Sequence, residues 1–154
     1  MSIASTLQQY LESQRVPYDV MTHDRTGSST RTAEASHVSS ENLAKGVMVK
    51  HRDGYVMAIL PAARQVQLDA LGQWVNGPVC LATEEEISAL FPDCGQGAVP
   101  PLPAAYGLNA VVDQSLEGRN DIYFEGGDHC TLVHLSGADF QRLMEKVPHR
   151  QLCA

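Results

Sequence analysis

Two short segments of the chain carry residue types that could act on an ester or a phosphate. The first is Lys45, which is followed by Gly46 and an apolar run. A lysine ammonium is a compact positive charge that can bind a phosphate or a carbonyl oxygen. Taken alone, such a lysine is more often a solvated surface residue, so its role depends on what lies beside it.

The second segment is residues 93–101, with the sequence DCGQGAVPP. Glycine allows the backbone to approach a ligand closely, and proline fixes φ and stiffens the chain. A loop of this kind can hold backbone N–H groups at fixed positions, as an oxyanion hole requires. The same composition is also typical of a rigid surface connection, so the residues alone leave both interpretations open.

The remaining reactive side chains form no recognisable motif. The chain has no GxSxG, no HExxH and no phosphate-binding glycine loop, and its six histidines are scattered. Its four cysteines are irregularly spaced and include no CxxC pair, which indicates neither zinc nor disulfides. We therefore expect no metal and no cofactor. The cysteines are Cys80, Cys94, Cys130 and Cys153.

The net charge of −7 argues against a surface that coats nucleic acid broadly. The charge is uneven, however: residues 1–64 carry seven Lys/Arg and six Asp/Glu, whereas residues 65–154 carry four and twelve. A local patch in the first part could contact a few phosphates. No apolar stretch reaches the roughly 20 residues that span a bilayer, and residues 1–15 lack the pattern of a secretory signal. We therefore expect a cytoplasmic protein.

Hydrophobic periodicity and turn signals indicate the elements that must position these residues. Val47 to Leu60 predicts a β-hairpin around Arg52-Asp53-Gly54, with Lys45 and Gly46 at the entrance to its first strand. Thr83 and Glu86 resemble a capping box. We predict helices over 3–14, 31–37 with Thr30 as a possible N-cap, 66–75, 83–90 and from Ser136 onward, and further strands over 18–23, 79–82, 109–112, 122–124 and 131–135.

This pattern predicts an α/β fold, with α+β as the related alternative, and one single domain over residues 1–154. Hairpins and helical crossovers occur together, so we expect one mixed, curled or barrel-like β-sheet flanked by helices. The segment 92–107 has many prolines and glycines and is expected to be a rigid loop.

Taken together and in order, these segments resemble the YbaK/prolyl-tRNA-synthetase-associated editing-domain family. The resemblance covers roughly residues 5–147, and its specificity comes from the combination rather than from any one motif. The matching pieces are His23 before a Thr/Ser-rich turn, Ala44-Lys45, Leu60-Pro61-Ala62, Leu81-Ala82-Thr83-Glu84, Asp93-Cys94, the GxxxP loop from Gly97 to Pro101, and the segment 123–129, YFEGGDH.

The resemblance implies a metal-independent hydrolase that removes wrongly attached, small amino acids from tRNA in trans. It places Lys45 and the loop residues Gly97, Ala98 and Val99 in the active site. Substrate-binding positions would be Pro100, Pro101, His129, His23 and Thr26. The implied partner is the acceptor end of a mischarged tRNA, with an aminoacyl-tRNA synthetase as a further possible partner and no membrane.

An aminoacyl ester is already activated, so its hydrolysis needs a placed water and stabilisation of the developing oxyanion. Backbone N–H groups around residues 97–101 would bind the ester carbonyl oxygen. Lys45 would anchor the terminal phosphate or the amino-acid backbone, and so contribute through orientation. No side chain is marked as a base, so the hypothesis assigns that part to the ribose hydroxyl of the substrate.

Two departures from the family pattern and two alternatives remain. Gly46 stands where many members have a polar residue, and Pro100-Pro101 doubles the loop proline, which leaves the exact substrate open. The first alternative is a non-catalytic module of the same fold that binds a small ligand, a synthetase or tRNA. The second is a thiol enzyme that uses Cys94, although the sequence pairs no activating histidine with it.

Overall fold

The structure is a computed structural model that describes residues 3–25 and 28–153. The helices are α1 (Ser5–Ser13), α2 (Ser29–Ser36), α3 (Leu68–Val75), α4 (Glu84–Leu90) and α5 (Gly137–Leu143). The strands are β1 (Asp19–Thr22), β2 (Leu43–His51), β3 (Gly54–Pro61), β4 (Val79–Leu81), β5 (Ala110–Asp113), β6 (Asp121–Glu125), β7 (Thr131–Ser136) and β8 (His149–Arg150). Short 3-10 turns cover Pro103–Tyr106 and Gln114–Leu116.

The eight strands of the described residues form one mixed sheet in the order β1-β7-β6-β2-β3-β5-β8, with β4 attached to β2. The pairs β2–β6, β3–β5 and β5–β8 are parallel, and the other pairs are antiparallel. In the described part of the chain the two end strands, β1 and β8, do not pair with each other, so the sheet is open. The expected α/β fold with a mixed sheet flanked by helices is confirmed.

Strand β2 is the point at which the sheet divides. Along one edge it pairs with β3 from Ala44 to His51. Along the other edge it pairs with β6 only at Leu43 and Ala44, and with β4 only from Val49 to His51. The two neighbours diverge between these positions, which leaves an interval beside Lys45 and Gly46 without a paired strand.

Both faces of the sheet are covered, as the unbroken apolar run of β3 predicts. Met57 and Ile59 point into the larger core with residues from α1, β6, β7 and α5, and Ala58 and Leu60 point into a second core under α3. All four side chains are fully buried. The strand that carries Lys45 is therefore held against a rigid neighbour.

Most local signals are confirmed by the structure. The Asp53-Gly54 hairpin joins β2 to β3. Thr83 and Glu86 form the reciprocal hydrogen bonds of a capping box at α4, with donor–acceptor distances of 2.9 and 3.2 Å. Ser136 caps α5 by accepting from the Asp139 N–H.

Three local predictions were wrong or incomplete. The N-cap of α2 is Ser28, whose hydroxyl accepts from the Arg31 N–H, and Thr30 lies inside the helix. Lys45 and Gly46 lie within β2 rather than before it, because parallel pairing with β6 extends the strand back to Leu43. The loop 92–107 contains a 3-10 turn, and the two-residue strand β8 was not predicted.

Candidate active site

A cavity of about 180 Å³ opens where β6 and β4 diverge from β2. It brings together four of the predicted site residues, although they come from three separate parts of the chain. These are Lys45, Gly97, Val99 and His129. The other lining residues are Ser28, Thr32, Leu43, Ala44, Gly46, Glu125 and Leu132.

Lys45 supplies the positive charge of the cavity. Its Nζ atom donates a long hydrogen bond of 3.4 Å to the carbonyl oxygen of Ala62, directly after β3. Burial lowers the pKa of Lys45 because the charged ammonium is partly removed from water. Among the described residues no carboxylate lies within ion-pair distance of it, so its charge is available to a ligand.

The loop at Gly97 offers a limited set of backbone donors. Gly97 has a φ of +77°, which glycine adopts without strain. The Ala98 N–H donates to the Gly95 carbonyl at 3.0 Å and is used within the loop. The prolines at 100 and 101 have no N–H. The N–H groups of Gly97 and Val99 make no hydrogen bond to the described residues, and both residues line the cavity.

The end of β6 and the turn between β6 and β7 contribute Glu125 and His129 to the cavity lining. Glu125 Oε2 accepts hydrogen bonds from the N–H groups of Gly127, Asp128 and His129, at 2.8, 3.1 and 3.0 Å. His129 has a positive φ of 64°, and Asp128 accepts from the next N–H, that of Cys130. The turn is thus built around two carboxylates, and it carries the His129 imidazole toward the Gly97 loop.

Glu125 lines the cavity but was not predicted as a site residue from the sequence. It precedes the GGDH segment and ends β6, so its position beside a glycine pair at a strand end was the available signal. Ser28 and Thr32 were missed as well. Ser28 is the N-cap of α2 and Thr32 lies in its first turn, where the Thr32 hydroxyl donates to the Ser28 carbonyl.

Other predicted site residues lie outside the cavity lining. Ala98, Pro100 and Pro101 are buried, and none of the three lines the cavity. His23 is half-buried, and its Nδ1 atom lies 2.7 Å from the Asp24 carbonyl oxygen. Thr26 lies outside the described residues.

The structure explains why glycine follows the lysine. A Cβ atom at position 46 would lie 2.9 Å from Met57 Sδ and 3.3 Å from Val99 Cγ1. At these distances the flexible Met57 side chain would have to shift, and Val99 would have to give way by a few tenths of an ångström. The missing side chain therefore allows Val99, and the loop that carries it, to close onto β2.

Cys94 lies beside the site in an environment that disfavours the thiolate. Its Sγ atom is 3.3 Å from the Tyr106 hydroxyl and 3.7 Å from Asp93 Oδ1. Burial raises the pKa of Cys94 to about 11, so the group is a protonated thiol at neutral pH. Within residues 3–25 and 28–153 no group of three His, Cys, Asp or Glu side chains is arranged to hold a metal ion.

Several solved structures share this fold over nearly the whole chain. One is a proposed trans-editing enzyme for prolyl tRNA synthetase, 21% identical, with a TM-score of 0.80 and coverage of 97% of this chain and 95% of that one. A protein described as hypothetical is 19% identical, with a TM-score of 0.84 and coverage of 97% and 100%. A third is a proposed signal transduction protein from Marinobacter aquaeolei VT8, 18% identical, with a TM-score of 0.77. The match with this third protein covers 97% of this chain but 30% of that one.

The chain belongs to the aminoacyl-tRNA editing domain family, whose model matches residues 23–143. This span includes Lys45, the Gly97 loop and His129, and it confirms the resemblance seen in the sequence. Family membership supports a function in aminoacyl-tRNA editing. The comparison with curated protein sequences found no match. In the described part of the chain, none of the helices has the length and apolar character needed to cross a membrane.

Proposed function

We propose that the chain is a trans-editing deacylase, which hydrolyses the ester of a mischarged tRNA that bears a small amino acid. The observation that carries this proposal is the position of Lys45 on the same cavity as Gly97 and Val99, whose N–H groups are not used by the described residues. A cation and two backbone donors at one cavity match the needs of ester hydrolysis through an oxyanion.

In the proposed reaction the ester carbonyl oxygen accepts hydrogen bonds from the Gly97 and Val99 N–H groups. A water attacks the carbonyl carbon, the C–O bond to the ribose breaks, and the negative charge that develops on the carbonyl oxygen is held by these donors. Loss of one such donor typically lowers kcat about 10²–10³-fold. Lys45 binds a phosphate or a substrate carbonyl oxygen and fixes the orientation of the ester.

The base that receives the proton from water is assigned to the substrate. Among the lining residues, His129 uses Nε2 on the Gln96 carbonyl oxygen, and Glu125 is anchored to the turn through Oε2, which leaves Oε1 as its open oxygen. The Cys94 thiol is held protonated. The vicinal ribose hydroxyl is on the carbon next to the one that carries the ester, so it can relay the proton from the water to the leaving oxygen.

The size of the cavity favours a small amino acid. A volume of about 180 Å³ is below the range of about 300–1,000 Å³ that is common for sites of drug-sized ligands. The aminoacyl group would therefore enter the cavity, while the adenosine and the rest of the acceptor end would remain outside. Such binding needs few phosphate contacts, which agrees with the net charge of −7 and predicts modest salt dependence. We place this reaction in the cytoplasm, where an aminoacyl-tRNA synthetase is the candidate partner.

The test is a deacylation panel with tRNAs charged with alanine, serine, cysteine, proline and threonine. Lys45→Ala is compared with Lys50→Ala, a matched control on the same strand whose ammonium is exposed and paired with Glu86 at 3.0 Å. We expect wild type and Lys50→Ala to release at least one amino acid, and Lys45→Ala to be about 100-fold slower, because the ester is no longer oriented. Equal loss in both lysine variants would contradict the assigned site.

The non-catalytic binding module gives a different result in the same panel. Folded wild-type protein would then release no amino acid from any tRNA, yet it would still bind the charged acceptor end. Insensitivity to a chelator is expected under the deacylase proposal, because none of the proposed steps uses a metal.

A further inference from the structure

Glu125 presents an unused carboxylate oxygen at the cavity. Its Oε2 atom accepts three backbone N–H groups of the following turn, whereas Oε1 makes no hydrogen bond to the described residues. The residue lines the cavity and is half-buried. Three bonds to one oxygen fix the orientation of the carboxylate, so its second oxygen is held ready for a partner.

The charge pattern of the cavity indicates what that partner is. Lys45 and Glu125 line the same cavity, but they do not form an ion pair within 4.0 Å. Among the described residues the turn occupies only Oε2 of Glu125, and Lys45 has only the Ala62 carbonyl oxygen as a hydrogen-bond partner, so each charge keeps an open position for a ligand. Such a cavity fits a ligand with two different groups close together. A positively charged group would bind Glu125, and an oxygen with partial negative charge would bind Lys45.

We propose that Glu125 binds the α-ammonium group of the aminoacyl ester and so selects substrates with a free amine. This inference rests on the proposed function. The α-amine is attached to the carbon next to the ester carbonyl, so both groups enter the cavity together. A typical α-amino group has a pKa of about 7.7–8.0 and is largely protonated at neutral pH. Esters with a blocked amine, such as formylated or peptidyl esters, lack this charge and would bind poorly.

Binding is measured with a 3′-aminoacylamino analogue of adenosine, in which an amide replaces the ester so that no hydrolysis occurs. The alanyl analogue is compared with its N-acetyl form by calorimetry. A hydrogen bond to a charged group corresponds to roughly 10- to 100-fold in affinity. We expect wild type to prefer the free amine by about that factor.

Glu125→Gln keeps the size of the side chain and an oxygen for the turn, but it removes the charge. We expect it to lose the preference for the free amine and to bind the N-acetyl analogue as wild type does. The matched control is Asp128→Asn, because Asp128 also holds this turn, through Cys130 and Thr131, but does not line the cavity. It should keep the preference even if the turn is loosened.

Deacylation of alanyl-tRNA and N-acetylalanyl-tRNA separates the two proposals. Wild-type activity on both esters at equal rates, unchanged in Glu125→Gln, would overturn the role of Glu125 and leave the deacylase intact. Equal loss of kcat on both esters in Glu125→Gln would also overturn it, since that pattern indicates a base rather than an amine-binding group. If wild type hydrolyses no ester and binds neither analogue, both proposals are wrong.

The supporting result is a loss of deacylation by Glu125→Gln on alanyl-tRNA but not on N-acetylalanyl-tRNA. The Asp128→Asn variant should meanwhile keep the wild-type preference for the free amine.

Discussion

The Nε2 atom of His129 lies 2.5 Å from the carbonyl oxygen of Gln96, and this contact joins the turn between β6 and β7 to the loop that carries Gly97. A second bond, from the Gly95 N–H to the Gly127 carbonyl at 2.7 Å, runs between the same two segments. The loop that carries Gly97 is therefore positioned by the turn after β6, which lies about thirty residues further along the chain.

Removal of the His129 imidazole should release the loop. We expect His129→Ala to lower kcat for deacylation about 10-fold, because misplaced donors stabilise the oxyanion less. The lost hydrogen bond should lower the free energy of unfolding by about 1 kcal/mol. His129→Gln, which can place an amide N–H near the same carbonyl, should recover part of kcat. Steady-state kinetics and urea denaturation measure the two effects, and a change in KM alone would contradict the positioning role.

Two glycines with a positive φ, Gly97 and Gly107, allow an effect on activity to be distinguished from a general effect on stability. Gly97 has a φ of +77° and Gly107 has a φ of +65°, and neither would meet an atom closer than 3.9 Å with an added Cβ. Each Gly→Ala substitution should cost about 1–2 kcal/mol through backbone strain. Only Gly97→Ala should slow deacylation, because Gly107 lies after the 3-10 turn and outside the cavity lining. Similar kinetic losses in both variants would show that strain, not position, was responsible.

Gly46 sets how closely the loop approaches β2. A methyl group there meets Met57 Sδ and Val99 Cγ1, so Gly46→Ala should lower the free energy of unfolding by about 1–3 kcal/mol through overpacking. It should also push Val99 outward and lower kcat. Val99→Ala combined with Gly46→Ala should restore stability in part, which thermal denaturation of the single and double variants can measure. Strictly additive effects would show that the two residues are not coupled.

Cys94 provides the test of the thiol alternative. Its raised pKa of about 11 leaves almost no thiolate at neutral pH, and a thiolate is the nucleophilic form. We expect Cys94→Ala to keep deacylation within about two-fold of wild type and to cost about 1 kcal/mol of stability, an average value for a point substitution. Alkylation by iodoacetamide at pH 7 should be slow at this cysteine by mass spectrometry. Loss of activity with unchanged stability would favour the thiol enzyme.

The sequence predicted those features that depend on neighbouring residues. The capping box at Thr83 and Glu86 and the hairpin at Asp53-Gly54 are complete within a few positions, so their physics is local. The family resemblance placed Lys45 and the Gly97 loop in one site, and the cavity brings them together. Their proximity arises from parallel pairing of Leu43 with Tyr123, eighty positions apart, which no local pattern specifies.

Details of hydrogen bonding account for what the sequence did not predict. The Ala98 N–H is not free, because the loop turns so that it donates to the Gly95 carbonyl oxygen. The residue types in the loop do not predict that hydrogen bond. Glu125 resembles an ordinary surface acid until the turn occupies one of its oxygens and leaves the other at the cavity. In the same way, Pro100 and Pro101 match the loop motif by letter but face the core.

His134 should make the stability of the β1 edge depend on pH. Its Nδ1 lies 3.2 Å from Asp19 on β1, and its Nε2 lies 2.8 Å from Asp121 on β6. Burial opposes the charged form, but the hydrogen bonds to Asp121 and Asp19 outweigh it and raise the pKa of His134 above its ordinary value near 6.5. Because the folded pKa is the higher one, the stabilisation is fully present below about pH 6.5 and is lost as pH rises through the folded value.

The ion pairs of His134 should contribute about 1 kcal/mol or less to the free energy of unfolding, since both carboxylates are largely exposed to water. We expect His134→Gln to lower the free energy of unfolding at pH 5.5, with a difference from wild type that shrinks as pH approaches 9. The change of this difference with pH reports the charge on the imidazole. Urea denaturation of the two proteins at intervals of half a pH unit measures it. A difference that stays constant from pH 5.5 to 9 would show that the charge of His134 does not hold β1 in place.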